Sequence, residues 1–198
     1  MLVKTFWKIG CLTLCLLLTS CATKQQVGAP VATSASITSL LPVHAEIYRD
    51  ALSKLQNQQP KEAEKLLKGL LRQRTDVPEL WLNLAYSQYQ QNKWSEAEKT
   101  IQKVLIAFPK IPQAHNLAGI LAVEQGKFKA AEKHYADALQ LNAAYSNALY
   151  NMALLQDIYL QNVASAVQYY NRYLETAQDD EATKAWVENL SRSLGGAQ

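Results

Sequence analysis

The 198-residue chain reads as an all-α solenoid of about four helix-turn-helix repeats, closed by a C-terminal capping helix. Three observations predict this. From His44 onward, small and large apolar residues return every 34 positions. Each unit holds two stretches with helical apolar spacing, and polar turns or prolines fall between the stretches. Ala63, Ala97 and Ala131 form one column, Leu71, Leu105 and Leu139 a second, and Ala51, Ala85 and Gly119 a third. Ala153 continues the last column at the same step; one residue inserted in the fourth turn then moves Ala166 and Leu174 to a step of 35.

The elements follow in order. The four units span 44–77, 78–111, 112–145 and 146–178, and a capping helix with its tail occupies 179–198. In the second unit Trp81, Leu84, Ala85 and Gln88 precede a Gln-Gln-Asn-Lys-Trp turn, after which Ala97, Ile101, Val104 and Leu105 resume the helical spacing. In the third, His115, Ala118, Gly119 and Val123 precede the turn Gln125-Gly126-Lys127-Phe128, and Ala131, Tyr135, Ala138 and Leu139 follow. Small residues belong where two helices cross closely, so Gly119 is expected against Ala131 and Ala85 against Ala97. The first unit is atypical, with Asp50 at an apolar position and Pro60 in the turn. Asp179 or Asp180 can cap the last helix, in which Ala182, Trp186, Leu190 and Leu194 make one apolar stripe. Trp186 is expected to plug the end of the solenoid; an exposed, partner-binding tryptophan is the alternative.

Trp81-x2-Leu84-Ala85, Ala97-x3-Ile101, Ala131-x3-Tyr135-x2-Ala138 and Pro109 together resemble the tetratricopeptide repeat (TPR) pattern over residues 44–177. The resemblance implies a right-handed superhelix whose first helices line a concave, protein-binding groove. Carried onto this sequence, the groove positions are Tyr48, Leu52 and Leu55, then Leu82, Tyr86, Tyr89 and Gln90, then Asn116, Ile120, Val123 and Glu124, then Asn147, Tyr150, Leu154 and Asp157. Tyrosines and amides of this kind suit an extended peptide or a partner helix. Burial of some of them by the curvature of a short solenoid is the competing expectation. The resemblance does not extend to the carboxylate clamp of chaperone-binding TPR domains, which uses paired Lys and Arg with Asn; the corresponding first positions hold Tyr48, Leu82, Asn116 and Tyr150.

The N-terminal end carries a different signal. Lys4 and Lys8 precede an uncharged run from Ile9 to Leu18, and ten residues of helix rise only about 15 Å, half a bilayer core. With Leu18-Thr19-Ser20-Cys21 the segment resembles the signal peptide and lipobox of bacterial lipoproteins. That resemblance implies cleavage after residue 20 and a lipid-modified Cys21 as the first mature residue. Two or more acyl chains anchor stably where one does not. Residues 21–43 are small and polar, a tether whose reach as coil is about 25 Å. Ala22 replaces the Asp that retains enteric-type lipoproteins in the inner membrane, which favours a periplasm-facing position on the outer membrane. A plain secreted protein with a chance cysteine is the alternative.

Removal of Lys4 and Lys8 takes the basic count from 20 to 18 against 17 carboxylates, so the mature chain is nearly neutral. Composition therefore gives no argument for nucleic acid or an acidic substrate. Cys11, Cys15 and Cys21 are the only cysteines, so the repeats have no disulfide and no thiolate metal site. His115 and His134 fall where they could face each other, but two imidazoles are too few for zinc. Glu62, Glu64, Glu96, Glu98 and Glu132 sit at the starts of second helices, where the helix dipole accounts for them. The sequence offers no catalytic residues, no small-molecule substrate site and no cofactor beyond the lipid on Cys21.

The sequence thus points to a non-enzymatic adaptor or assembly factor for an envelope complex. Pilotin-like service to a pilus secretin is the first expectation, and a scaffold for cell-wall hydrolases or an accessory subunit of a Ton-type complex the alternatives. A histidine-dependent enzyme subunit is the reading from another class. If Cys21 is the anchor, Cys21→Ser abolishes palmitate labelling and moves the protein from the membrane to the soluble fraction; unchanged labelling would refute the assignment.

Overall fold

The computed structural model describes residues 40–195, so the expected signal, Cys21 and most of the tether lie outside the described residues. Helices α1 (Pro42–Gln56) and α2 (Pro60–Leu71) form the first unit, α3 (Pro78–Gln90) and α4 (Trp94–Ala107) the second, and α5 (Pro112–Glu124) and α6 (Phe128–Leu141) the third. The fourth pairs α7 (Ser146–Leu154) with α8 (Val163–Thr176), and α9 (Glu181–Gly195) follows. No strand occurs among the described residues, and no described helix is long and apolar enough to cross a membrane.

Proline sets four helix starts. Pro42, Pro60, Pro78 and Pro112 each occupy the first turn of a helix, where φ is already right and the missing N–H has no partner to lose. Pro60 therefore opens α2 rather than lying in the turn. The turns also repeat. Gln58, Asn92, Gly126 and Gln161 all have φ between 53° and 70°, the left-handed position that lets the chain reverse between paired helices. Their spacing is 34, 34 and 35 residues. The inserted residue of the fourth unit is taken up before its turn, as a π-helical stretch at Leu155–Tyr159 that continues α7. A π-turn is how a helix absorbs one extra residue without losing its backbone hydrogen bonds.

Burial runs along the whole stack. Leu67, Leu71, Leu80 and Leu84 join the first unit to the second. Leu82, Ile101, Leu117, Tyr135 and Met152 draw the second, third and fourth into one core. Gly119 lies against the ring of fully buried Tyr135, so the small residue is required by a tyrosine one turn beyond the expected Ala131.

Polar groups cross each seam as well. Asn83 donates to the Tyr48 hydroxyl at 2.8 Å, and Asn151 donates to the Asn116 carbonyl oxygen at 2.9 Å. A second set recurs with the period. Glu64 accepts from Gln91 and Lys93 at 2.7 and 2.8 Å. Glu98 accepts from Gln125 and Lys127 at 3.0 and 3.4 Å, and Glu132 from Gln156 at 2.7 Å. These three carboxylates clasp the following unit, a role that the helix dipole alone does not account for. Burial raises the pKa of Glu64, but hydrogen bonds from Lys68, Lys93 and Gln91 outweigh it and hold the carboxyl at about 2.

At the C-terminus Asp180 caps α9, accepting from the Thr183 N–H at 3.0 Å. The face of α9 that packs on the fourth unit carries Thr183 and Val187, with Leu190 partly covered. Trp186 is 45% exposed, and its indole N–H donates to Asp157 at 2.8 Å. The expected stripe is thus rotated by one residue, and Val187 rather than Trp186 fills the end of the solenoid. The reason is the indole N–H, which keeps a carboxylate partner at the surface instead of losing one in the core.

The surroundings of two glycines lead to opposite expectations. Gly119→Ala, whose Cβ would sit 2.6 Å from Tyr135 Cδ1, costs about 1–3 kcal/mol in chemical unfolding despite the better helix former. Gly69→Ala, with open space around its Cβ, stabilises by about 0.5–1 kcal/mol. Because the folded pKa of Glu64 is depressed, its stabilisation is complete above about pH 5 and lost as pH falls toward 2. The stability gap between wild type and Glu64→Gln, about 2 kcal/mol after allowing for the half-exposed lysines, therefore closes over that range.

Candidate functional site

The first helices of three successive units converge on one pocket of about 670 Å³. Leu55 and Gln56 come from α1, Tyr86, Tyr89 and Gln90 from α3, and Glu124 from α5. The turn residues Gln58 and Asn92, with Pro60 and Trp94 at the starts of the second helices, complete the wall. Each contribution has a local cause. The left-handed φ at Gln58 and Asn92 ends each first helix at the pocket, and helical spacing puts Tyr86, Tyr89 and Gln90 on neighbouring faces of α3.

The wall is held by its own contacts. The Tyr89 ring meets Trp94 edge to face at 5.7 Å, and its hydroxyl donates to Glu124 Oε1 at 3.4 Å. Gln90 donates through Nε2 to the Tyr86 hydroxyl at 3.0 Å, while its Oε1 is buried with no hydrogen-bond partner. Burial and then Glu124 push the Tyr89 hydroxyl up to about 12, and burial raises Tyr86, so both remain donors at neutral pH. Among the described residues Glu124 is the single charged side chain on the wall, and no Lys or Arg lines it.

The other expected groove residues lie elsewhere. Tyr48, Leu82, Asn116, Ile120, Val123 and Leu154 are buried in the stack, where they meet the neighbouring unit and present no area to a partner. Leu55 is buried too, although its edge reaches the pocket. Leu52 packs partly covered on the first core. Tyr150 is committed to an aromatic cluster, with ring centroids 5.9 Å from Tyr170 and 5.0 Å from Tyr173. Of the fifteen groove positions read from the sequence, Leu55, Tyr86, Tyr89, Gln90 and Glu124 are the five brought to the pocket. Gln58, Pro60, Asn92 and Trp94 were missed because the turns read only as connectors; the signal was the recurrence of polar turn residues at the repeat step.

His115 and His134 do face each other, with ring centroids 6.0 Å apart. Asp137 joins them: its Oδ2 lies 3.7 Å from His115 Nδ1. Burial, and then the neighbouring His115, lower the pKa of His134.

Two family models, each described as tetratricopeptide repeat, match residues 54–121 and 116–182 and together span well over half of the chain. No curated protein matches significantly. Among solved structures, a tetratricopeptide repeat protein from Parabacteroides merdae is 24% identical, with a TM-score of 0.60 over 76% of this chain. The match spans 60% of the length of that protein. A thermophilic TPR protein of Thermus thermophilus is 16% identical, with a TM-score of 0.65 over 77% of this chain and 83% of its own. The first TPR domain of Spaghetti (RPAP3), solved with the HSP90 peptide SRMEEVD, is 22% identical, with a TM-score of 0.55 over 60% of this chain and 93% of its own. At these identities the likeness is one of fold. The chain belongs to the tetratricopeptide repeat family.

Proposed function

We propose that the protein is a lipid-anchored adaptor of the bacterial outer membrane that holds a segment of an envelope protein in the pocket of α1, α3 and α5. The observation that carries the binding role is that pocket itself: Tyr86, Tyr89 and Trp94 with the amides of Gln56, Gln58, Gln90 and Asn92, gathered at the turn-side ends of three first helices. Apolar area supplies affinity, and the amides and phenols match the backbone of an extended chain. A protein of the same fold holds a peptide, SRMEEVD. Here the described wall carries Glu124 and no basic residue, which argues against an acidic C-terminal peptide of that type and for a neutral or basic one.

The lipobox-like Leu18-Thr19-Ser20-Cys21 and the polar stretch after it support the anchor. A tether of that length would let the repeats work about 25 Å from the membrane. Among envelope machines, assembly of a pilus or secretin is the favoured setting. No catalytic role is assigned to the pocket: its one carboxylate, Glu124, accepts from Tyr89, whose hydroxyl is pushed up, away from the neutral range that acid–base work needs.

Crosslinking and affinity capture of the lipidated protein from envelopes tests the binding role. Tyr86→Ala combined with Gln90→Ala lowers recovery of the specific partner about tenfold or more, while helical circular dichroism is retained. Equal recovery with both variants folded would move the binding surface away from this pocket.

A further inference from the structure

His115 stands near the start of α5, and His134 and Asp137 lie three residues apart on one face of α6. One donor atom from each of the three lies within 4.8 Å of the other two. The Nδ1 atoms of both histidines are buried and have no hydrogen-bond partner. The His115 ring is also oriented from behind: its Nε2 is 3.1 Å from the Pro109 carbonyl oxygen. A carbonyl only accepts, so Nε2 carries a proton, and in the neutral ring Nδ1 turns a lone pair toward Asp137. A lone pair facing a carboxylate is satisfied by a proton or by a metal cation between them, and the unpartnered Nδ1 of His134 beside it favours the metal.

We propose that His115, His134 and Asp137 form a binding site for a divalent cation of the zinc class. Two imidazoles and a carboxylate, completed by one water, are a donor set that zinc and cobalt accept, whereas magnesium and calcium prefer oxygen alone. Metal–ligand bonds of about 2.0–2.2 Å place tetrahedral donors about 3.4 Å apart. The three groups therefore close by up to about 1.4 Å through side-chain rotation. The hydrogen bond from Nε2 to a backbone carbonyl is the outer contact that ligating histidines usually make.

Lys133 is the charge that competes. Its Nζ lies 2.8 Å from Asp137 Oδ2, but the side chain is 74% exposed, and such a surface pair gives way readily. A cavity of about 220 Å³, walled in part by Gln102 and Leu105 of α4, reaches His134 and gives a route of approach. A bound ion would join α5 to α6 and, through Pro109, fix the connection from the second unit. The site shares no residue with the Tyr86 pocket and does not rest on the adaptor reading.

Cobalt(II) titration of the full-length chain in detergent tests the site, with zinc as competitor. The expected result is one equivalent bound, with the visible d–d bands of a four-coordinate ion, displaced by zinc. His115→Ala and His134→Ala each weaken binding roughly 100-fold or more. Added zinc raises the thermal midpoint of the wild type but not of Asp137→Asn, a partly exposed position whose change leaves the core intact. Lys133→Ala binds at least as tightly as the wild type. Absence of saturable binding would reduce the cluster to a His115–Asp137 ion pair. Thiolate-to-cobalt charge-transfer bands that persist in His134→Ala would place the ion on the cysteines. Either result overturns the proposal.

Discussion

Everything in this molecule depends on one helix pair burying its apolar face against the next. A pair alone has nothing to cover Leu67 or Leu80, and a chain without disulfides in its repeats has no covalent substitute. Stacking answers this by letting each unit complete the core of its neighbour, as Met152 of the fourth unit does for the third. The clasps of Glu64, Glu98 and Glu132 then fix the angle between units with groups whose geometry is directional. Apolar contact sets how strongly neighbours adhere; the hydrogen bonds set their register.

The same stacking decides what is left for binding. Across two of the seams, the first helices are joined side chain to side chain through Tyr48 with Asn83 and Asn116 with Asn151. Positions that would line a wider groove are consumed there. Toward their C-terminal ends the helices and turns leave the pocket of Tyr86, Tyr89, Gln90 and Glu124. The groove is therefore a local opening at the turn-side ends of α1, α3 and α5, not a continuous band of residues along all four first helices.

Two departures from the repeat mark where tertiary demands override local pattern. The inserted residue of the fourth unit becomes a π-turn rather than a longer loop, because its turn must still place Gln161 in the left-handed position. Trp186 sits where an apolar stripe points inward, yet its N–H holds Asp157 at the surface and Val187 takes the buried place. In both cases the local pattern was readable and the tertiary demand that overrides it was not.

The sequence by itself determined the period, the pairing of helices and the approximate position of every turn, because helical spacing, prolines and small residues are local signals. It also contained the Glu64, Glu98 and Glu132 column and the matching Gln91 and Gln125, legible as recurrences though not as contacts. Only the tertiary structure decided that Tyr48, Asn116 and Leu154 are buried while Tyr86 borders a pocket. It alone brought Asp137 beside His115. Whether a side chain on a first helix reaches a partner or a neighbouring unit depends on how closely two helices 34 residues apart approach. That distance is set by packing between units and by nothing within one of them.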